Sequence, residues 1–137
     1  MSLKQKLKRF SNFADTPHRL ALAFGLGVFL GVIPGTGAVV AVGASTLFRL
    51  NLPLMVAGAM LTNPITVPFV YAGSYFIGRR LLGDHLAAGF LGQVLLPIIA
   101  GNLPLAAFLA VSGYLFVWIF ITWRRSRRSS RHKQEAP

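Results

Sequence analysis

Residues 20–48 read LALAFGLGVFLGVIPGTGAVVAVGASTLF, 29 residues without a charge, and the reading of this stretch decides what kind of molecule the chain makes. As one straight helix it would extend about 43 Å, longer than an upright span of a bilayer core of roughly 30 Å requires. It must bend or break, and Pro34-Gly35-Thr36-Gly37 is the place. Proline deletes a backbone donor there, and the two glycines free the chain to turn. The limbs, 20–33 and 37–48, each reach only about 18 to 21 Å. Small residues recur every fourth position on both, at Ala23, Gly27 and Gly31 and at Gly37, Ala41 and Ser45. Two such faces can meet backbone to backbone, so the stretch predicts a re-entrant helical hairpin with its tip at Pro34 to Gly37 rather than one kinked span.

Two further uncharged stretches follow, 50–78 and 85–123, of 29 and 39 residues. In the first, Asn51-Leu52-Pro53 stands near the start and Thr62-Asn63-Pro64-Ile65-Thr66-Val67-Pro68 near the middle. Prolines four residues apart free backbone groups that need partners in lipid, so a second broken hairpin is expected, its tip facing protein or water. In the second, Gly101-Asn102-Leu103-Pro104 predicts a turn that leaves 86–100 and 105–123 as an antiparallel transmembrane pair. Trp123 and the arginines after it anchor the last span. Asn51-Leu52-Pro53-Leu54 recurs as Asn102-Leu103-Pro104-Leu105, a weak echo of duplication.

The formal charge is +11, with 14 Lys and Arg against Asp15, Asp84 and Glu135 alone, in a chain that is 54% hydrophobic. The basic residues lie between and beyond the apolar stretches, which marks an all-α integral membrane protein rather than a nucleic-acid binder with a polar fold. Residues 1–15 read as a basic amphipathic segment on the membrane surface, 16–123 as the helical membrane domain and 124–137 as a disordered cytoplasmic tail. Thr16 and Pro17 make a helix start, and Asp15 parts the basic leader from the apolar run, against a cleaved signal. With re-entrant hairpins, Arg19, Arg49, Arg79, Arg80 and both termini are expected on the cytoplasmic side of a bacterial inner membrane. A four-span arrangement would instead place Arg49 outside.

Pro17-His18-Arg19-Leu20-Ala21, Gly27-Val28-Phe29-Leu30-Gly31-Val32-Ile33-Pro34, Arg49-Leu50-Asn51-Leu52-Pro53 and Thr62-Asn63-Pro64-Ile65-Thr66-Val67-Pro68 follow one another in an order that resembles the bacterial membrane family catalogued as domain of unknown function 2062. The resemblance runs over residues 16–123. It implies a small inner-membrane protein without an assigned activity, and relatives fused to glycosyltransferases point towards lipid-linked sugar metabolism.

No carboxylate pair, activated nucleophile or metal cluster falls inside the apolar stretches, and there is no cysteine. The expectation is therefore a non-enzyme without metal or cofactor. The candidate substrate-binding residues are Arg49, Arg79, Arg80, Asn63, Thr36 and Thr66, with Pro34, Gly35, Gly37, Pro64 and Pro68 shaping the helix breaks. Half-helices that end inside a membrane direct amide groups at anions, and arginine suits phosphate. Thr36 would cap a helix beginning near Gly37, and Asn63 or Thr66 one beginning near Pro64 or Val67. The plainer reading is that the breaks serve packing and the arginines only orient the chain. Three functions remain open: transport of an anionic, lipid-linked substrate such as polyprenyl phosphate, a non-catalytic adaptor for an envelope enzyme, and an oligomeric pore. Both transport readings call for a homo-oligomer, with lipid headgroups as partners and no nucleic acid.

Overall fold

The computed structural model describes residues 16–35, 37–83 and 89–134, with side chains as far as residue 128; the leader expected over 1–15 and the cap expected at Thr36 lie outside them. Every regular element among the described residues is a helix, with no strand among them. Helix α1 (Pro17–Val32) starts as its residues dictate, with Pro17 in the first turn and the Thr16 hydroxyl accepting from the Arg19 amide at 3.4 Å. It stops at Ile33, extended because Pro34 follows. Gly35 at φ 84° and Gly37 at φ 55° reverse the chain into α2 (Gly37–Leu47), which packs back on α1. The first hairpin is therefore present.

Leu50 donates to the Ser45 carbonyl at 2.9 Å, closing the end of α2 around Arg49 at φ 52°. Glycine usually occupies such a position. Asn51 then caps α3 (Leu52–Ala59), its side-chain oxygen accepting from Leu54 at 3.2 Å. Loop 60–66 leads to α4 (Val67–Leu82), and a π-helical turn (Leu91–Leu95) leads into α5 (Leu96–Gln134).

Three expectations need correction. The second broken element is no hairpin, because α3 packs on α1 and α2 while α4 packs on α5. The small face of α1 serves α3 rather than α2: a Cβ on Gly27 or Gly31 would strike the Met55 or Ala59 backbone. And the transmembrane pair does not form, since α5 runs straight through Gly101-Asn102-Leu103-Pro104. Tertiary partners override the turn chemistry there. A Cβ at Gly101 would collide with the Ser74 carbonyl and one at Gly78 with the Pro97 carbonyl, so bare backbone is what lets α4 and α5 touch. Asn102, 4% exposed, donates to the Val32 carbonyl at 3.2 Å and to the Ser74 hydroxyl at 3.4 Å. One amide thus ties α1 and α4 to the same level of α5.

The core forms two clusters. Ala23, Ala41, Leu50, Met55 and Ala59 join α1, α2 and α3, while Val28, Val32 and Ala106, flanked by Val70 and Leu109, join α1, α4 and α5. The stretch Leu91–Arg128 is the one helix among the described residues long and apolar enough to cross a membrane. The helix continues through the basic segment to Gln134, where composition predicts a disordered tail. Arg124 and Arg127 stack back one turn over the Phe120 and Trp123 rings, with guanidinium carbons 5.7 and 4.1 Å from the ring centres.

Glycine substitutions separate these contacts from ordinary helix propensity. We expect Gly78→Ala to lower stability by more than ~1–3 kcal/mol, because backbone rather than a flexible side chain must give way. Gly43→Ala, in open space on α2, is expected to raise it by about 0.5–1 kcal/mol. Thermal unfolding in detergent, followed by circular dichroism, measures both; equal shifts would remove the close-approach account.

Candidate functional site

The packing partners fix how the arginines are distributed. Down α1, His18 meets Tyr114, Gly25 meets Ala110 and Val32 meets Asn102, so α1 and α5 are antiparallel. Down α4, Gly73 meets Leu105, Ser74 meets Gly101 and Gly78 meets Pro97, so α4 is antiparallel to α5 and extends past the end of α1. Gly27 with Met55 and Gly31 with Ala59 make α3 parallel to α1.

Arg19 and Arg49 therefore lie level with Tyr114, and Arg79 and Arg80 level with Pro97. Along α5 these levels are about 25 Å apart at roughly 1.5 Å per residue. The expectation that Arg49, Arg79 and Arg80 share one side, or that Arg49 stands alone on the other, is corrected on this point: they sit at opposite ends of the bundle. Thr16 and the α5 arginines from Arg124 onward are at or beyond the Arg49 end, so the two ends of the 16–123 domain are on the same side of the bundle.

At the Arg49 end, the Arg19 guanidinium donates to the Arg49 carbonyl at 2.8 Å, drawing the start of α1 to the α2–α3 junction. Both side chains are exposed. Arg49 holds a left-handed backbone that costs a non-glycine residue about 1–2 kcal/mol. Beside it, His18 Nδ1 lies 2.6 Å from the Tyr114 hydroxyl, with the rings edge to face at 5.6 Å. Asn51 is 3% exposed, and its amide nitrogen is buried without a hydrogen-bond partner. Arg79 and Arg80 occupy the last turn of α4, where cations favour the helix dipole, and both are exposed. The Arg79 guanidinium lies 6.0 Å from the Tyr75 ring centre.

Loop 60–66 joins neither cluster. The Asn63 side-chain oxygen accepts from the Ile65 and Thr66 amides at 2.9 and 3.1 Å. The Thr66 hydroxyl donates to the Leu61 carbonyl at 2.8 Å and accepts from the Asn63 amide at 2.9 Å. Val67 donates to the Asn63 carbonyl at 2.9 Å. Of the amides expected to be free around Pro64 and Val67, those of Ile65, Thr66 and Val67 are engaged within the loop, while Ile65 points outward, 77% exposed. Thr66 precedes α4 but gives it no side-chain cap. Pro34, Gly35, Gly37, Pro64 and Pro68 are exposed, so both breaks reach the surface of the chain, where the second was expected to face protein or water.

Sequence reasoning missed Arg19 as a partner of Arg49, the His18–Tyr114 pair and an apolar groove of about 330 Å³ between α1 and α5. His18 and Tyr114 are 96 residues apart, and no local pattern connects them.

The model of the family of uncharacterized proteins conserved in bacteria, domain of unknown function 2062, matches residues 1–130. The chain belongs to this family. No curated protein and no solved structure matches the chain.

The loop geometry gives Asn63 a local task. We expect Asn63→Ala to cost about 1–3 kcal/mol by leaving the Ile65 and Thr66 amides without their acceptor, and Asn63→Asp to keep both bonds and most of the stability. Unfolding midpoints decide it: equal losses in the two variants would show that the side-chain nitrogen, not the oxygen, matters.

Proposed function

We propose that the chain is a multi-pass protein of the bacterial cytoplasmic membrane, of transport class, that binds and moves an anionic, lipid-linked substrate such as polyprenyl phosphate. The observation that carries this reading is the pair of cationic ends, Arg19 with Arg49 and Arg79 with Arg80, set about 25 Å apart across an apolar bundle. That spacing is close to a bilayer core of roughly 30 Å. A phosphate moving between leaflets meets a guanidinium pair at each interface, where bidentate hydrogen bonds are strongest.

In this reading the α1–α2 hairpin is re-entrant, because α1 ends level with Asn102 while α4 runs on to Arg79, level with Pro97. The end holding Arg19, Arg49 and the α5 arginines is cytoplasmic by the excess of positive charge, and both termini are with it. Arg79 and Arg80 then face the outside. Loop 60–66 crosses lipid with the Asn63, Ile65 and Thr66 amides engaged within it. In this reading the working unit is a homo-oligomer whose copies line the path together.

A second reading, a non-catalytic adaptor for an envelope enzyme, is favoured by the part of α5 beyond the bundle. Leu115, Phe116, Trp118, Ile119 and Phe120 are 42–70% exposed there, an apolar surface open to a partner helix. In vesicles carrying fluorescent polyprenyl phosphate, the transport reading predicts faster loss of inner-leaflet signal to an impermeant quencher than in protein-free vesicles. Arg49→Gln is expected to slow it about tenfold, the effect of losing one charge-assisted hydrogen bond. Rates equal to those of empty vesicles would overturn it, and a stoichiometric enzyme partner on gentle extraction would put the adaptor in its place.

A further inference from the structure

We infer that the groove between α1 and α5 holds the hydrocarbon chain of an anionic phosphate lipid, with the headgroup seated at His18, Arg19 and Arg49. This rests on the anionic-lipid reading above and adds where the lipid lies. The groove encloses about 330 Å³ and its exposed wall is entirely apolar. Small residues, Gly25, Ala107 and Ala110, leave space along its floor, and its sides are built by Leu22, Leu26, Phe29 and Val111.

What makes it more than an apolar cleft is its end. The Tyr114 ring lines the groove while its hydroxyl leaves it to meet His18 Nδ1 at 2.6 Å. The surface thus changes from hydrocarbon to polar within one side chain. Arg19 is the next residue on α1 and its guanidinium donates to the Arg49 carbonyl, which brings one exposed guanidinium and the backbone of a second exposed arginine to this end of the bundle. An amphiphile with a chain and a terminal phosphate matches that order, apolar along the groove and anionic at its mouth.

Size argues against a protein occupant. The volume is at the lower end of the ~300–1,000 Å³ of small-molecule sites. Along α5 the lining runs from Ala107 to Tyr114, about two turns or ~10 Å, the reach of the first part of a lipid chain.

The test uses the full-length chain in phosphatidylcholine vesicles with a trace of photoactivatable lipid, a diazirine on its chain, offered as prenyl monophosphate or as phosphatidylcholine. The expected result is labelling within Leu22–Phe29 and Ala107–Val111, about tenfold stronger with the phosphate lipid. Ala107→Trp fills the groove from an exposed position and is expected to lower that labelling about tenfold. Ala107→Leu, a milder filling, gives an intermediate loss should the tryptophan variant fold poorly. Arg49→Gln is expected to lower total capture of the phosphate lipid. If both fillers leave labelling unchanged while Arg49→Gln still lowers capture, the groove is overturned and the anionic-lipid reading stands. If the phosphate lipid is not preferred and Arg49→Gln has no effect, both fall. A change in oligomer size on filling, with labelling unaffected, gives the groove to a second copy of the chain and also overturns the proposal.

Discussion

One buried amide holds the arrangement together. Asn102 lies near the start of α5 and reaches both the Val32 carbonyl and the Ser74 hydroxyl, so α1 and α4 are fastened to the long helix at one level. Glycine makes the approach possible, because the α4 and α5 backbones touch at Gly78 with Pro97 and at Gly101 with Ser74. A buried polar group without a partner costs about 1–3 kcal/mol, so Asn102 selects the register in which both acceptors are in reach. From that register the rest follows: α4 overshoots α1, and the arginine pairs part company.

The features legible in the sequence are those whose cause is local. Thr16 and Pro17 start α1 because a hydroxyl and a proline suit a first turn wherever they occur, and Pro34-Gly35 ends the limb because the conformation it needs is written in those residues. The second break is legible as a break for the same reason. What its limbs pack against is not, because Gly27 and Gly31 look equally ready for α2 or α3. The tetrad Asn-Leu-Pro-Leu makes the limit plain. At Asn51 it opens a helix after Arg49 has reversed the chain, and at Asn102 it sits inside one, because the acceptors of that side chain lie 70 and 28 residues away. Proline 104 removes one helical hydrogen bond there, and tertiary contacts offset the loss.

The candidate site divides along the same line. Arg49 carries a sequence signal, a lone cation between two apolar stretches, whereas its neighbours Arg19, His18 and Tyr114 come together only through the fold. Asn63 and Thr66 carry the strongest local motif in the chain, and that motif is spent on closing its own loop. The resulting account is of a charge-tipped apolar bundle: a cationic end that includes the His18–Tyr114 pair, a groove leading from it along α5, and a second cationic end on the far side.

The central claim is that Arg49 and Arg80 belong to opposite faces of the membrane. The chain has no cysteine, so single cysteines report their own location. Arg80→Cys, Phe48→Cys and Ser126→Cys, each labelled in intact spheroplasts with a membrane-impermeant maleimide, test it directly. The account predicts that the cysteine at position 80 reacts from outside, while those at 48 and 126 react only after the membrane is opened. Labelling of all three from the same side would contradict it.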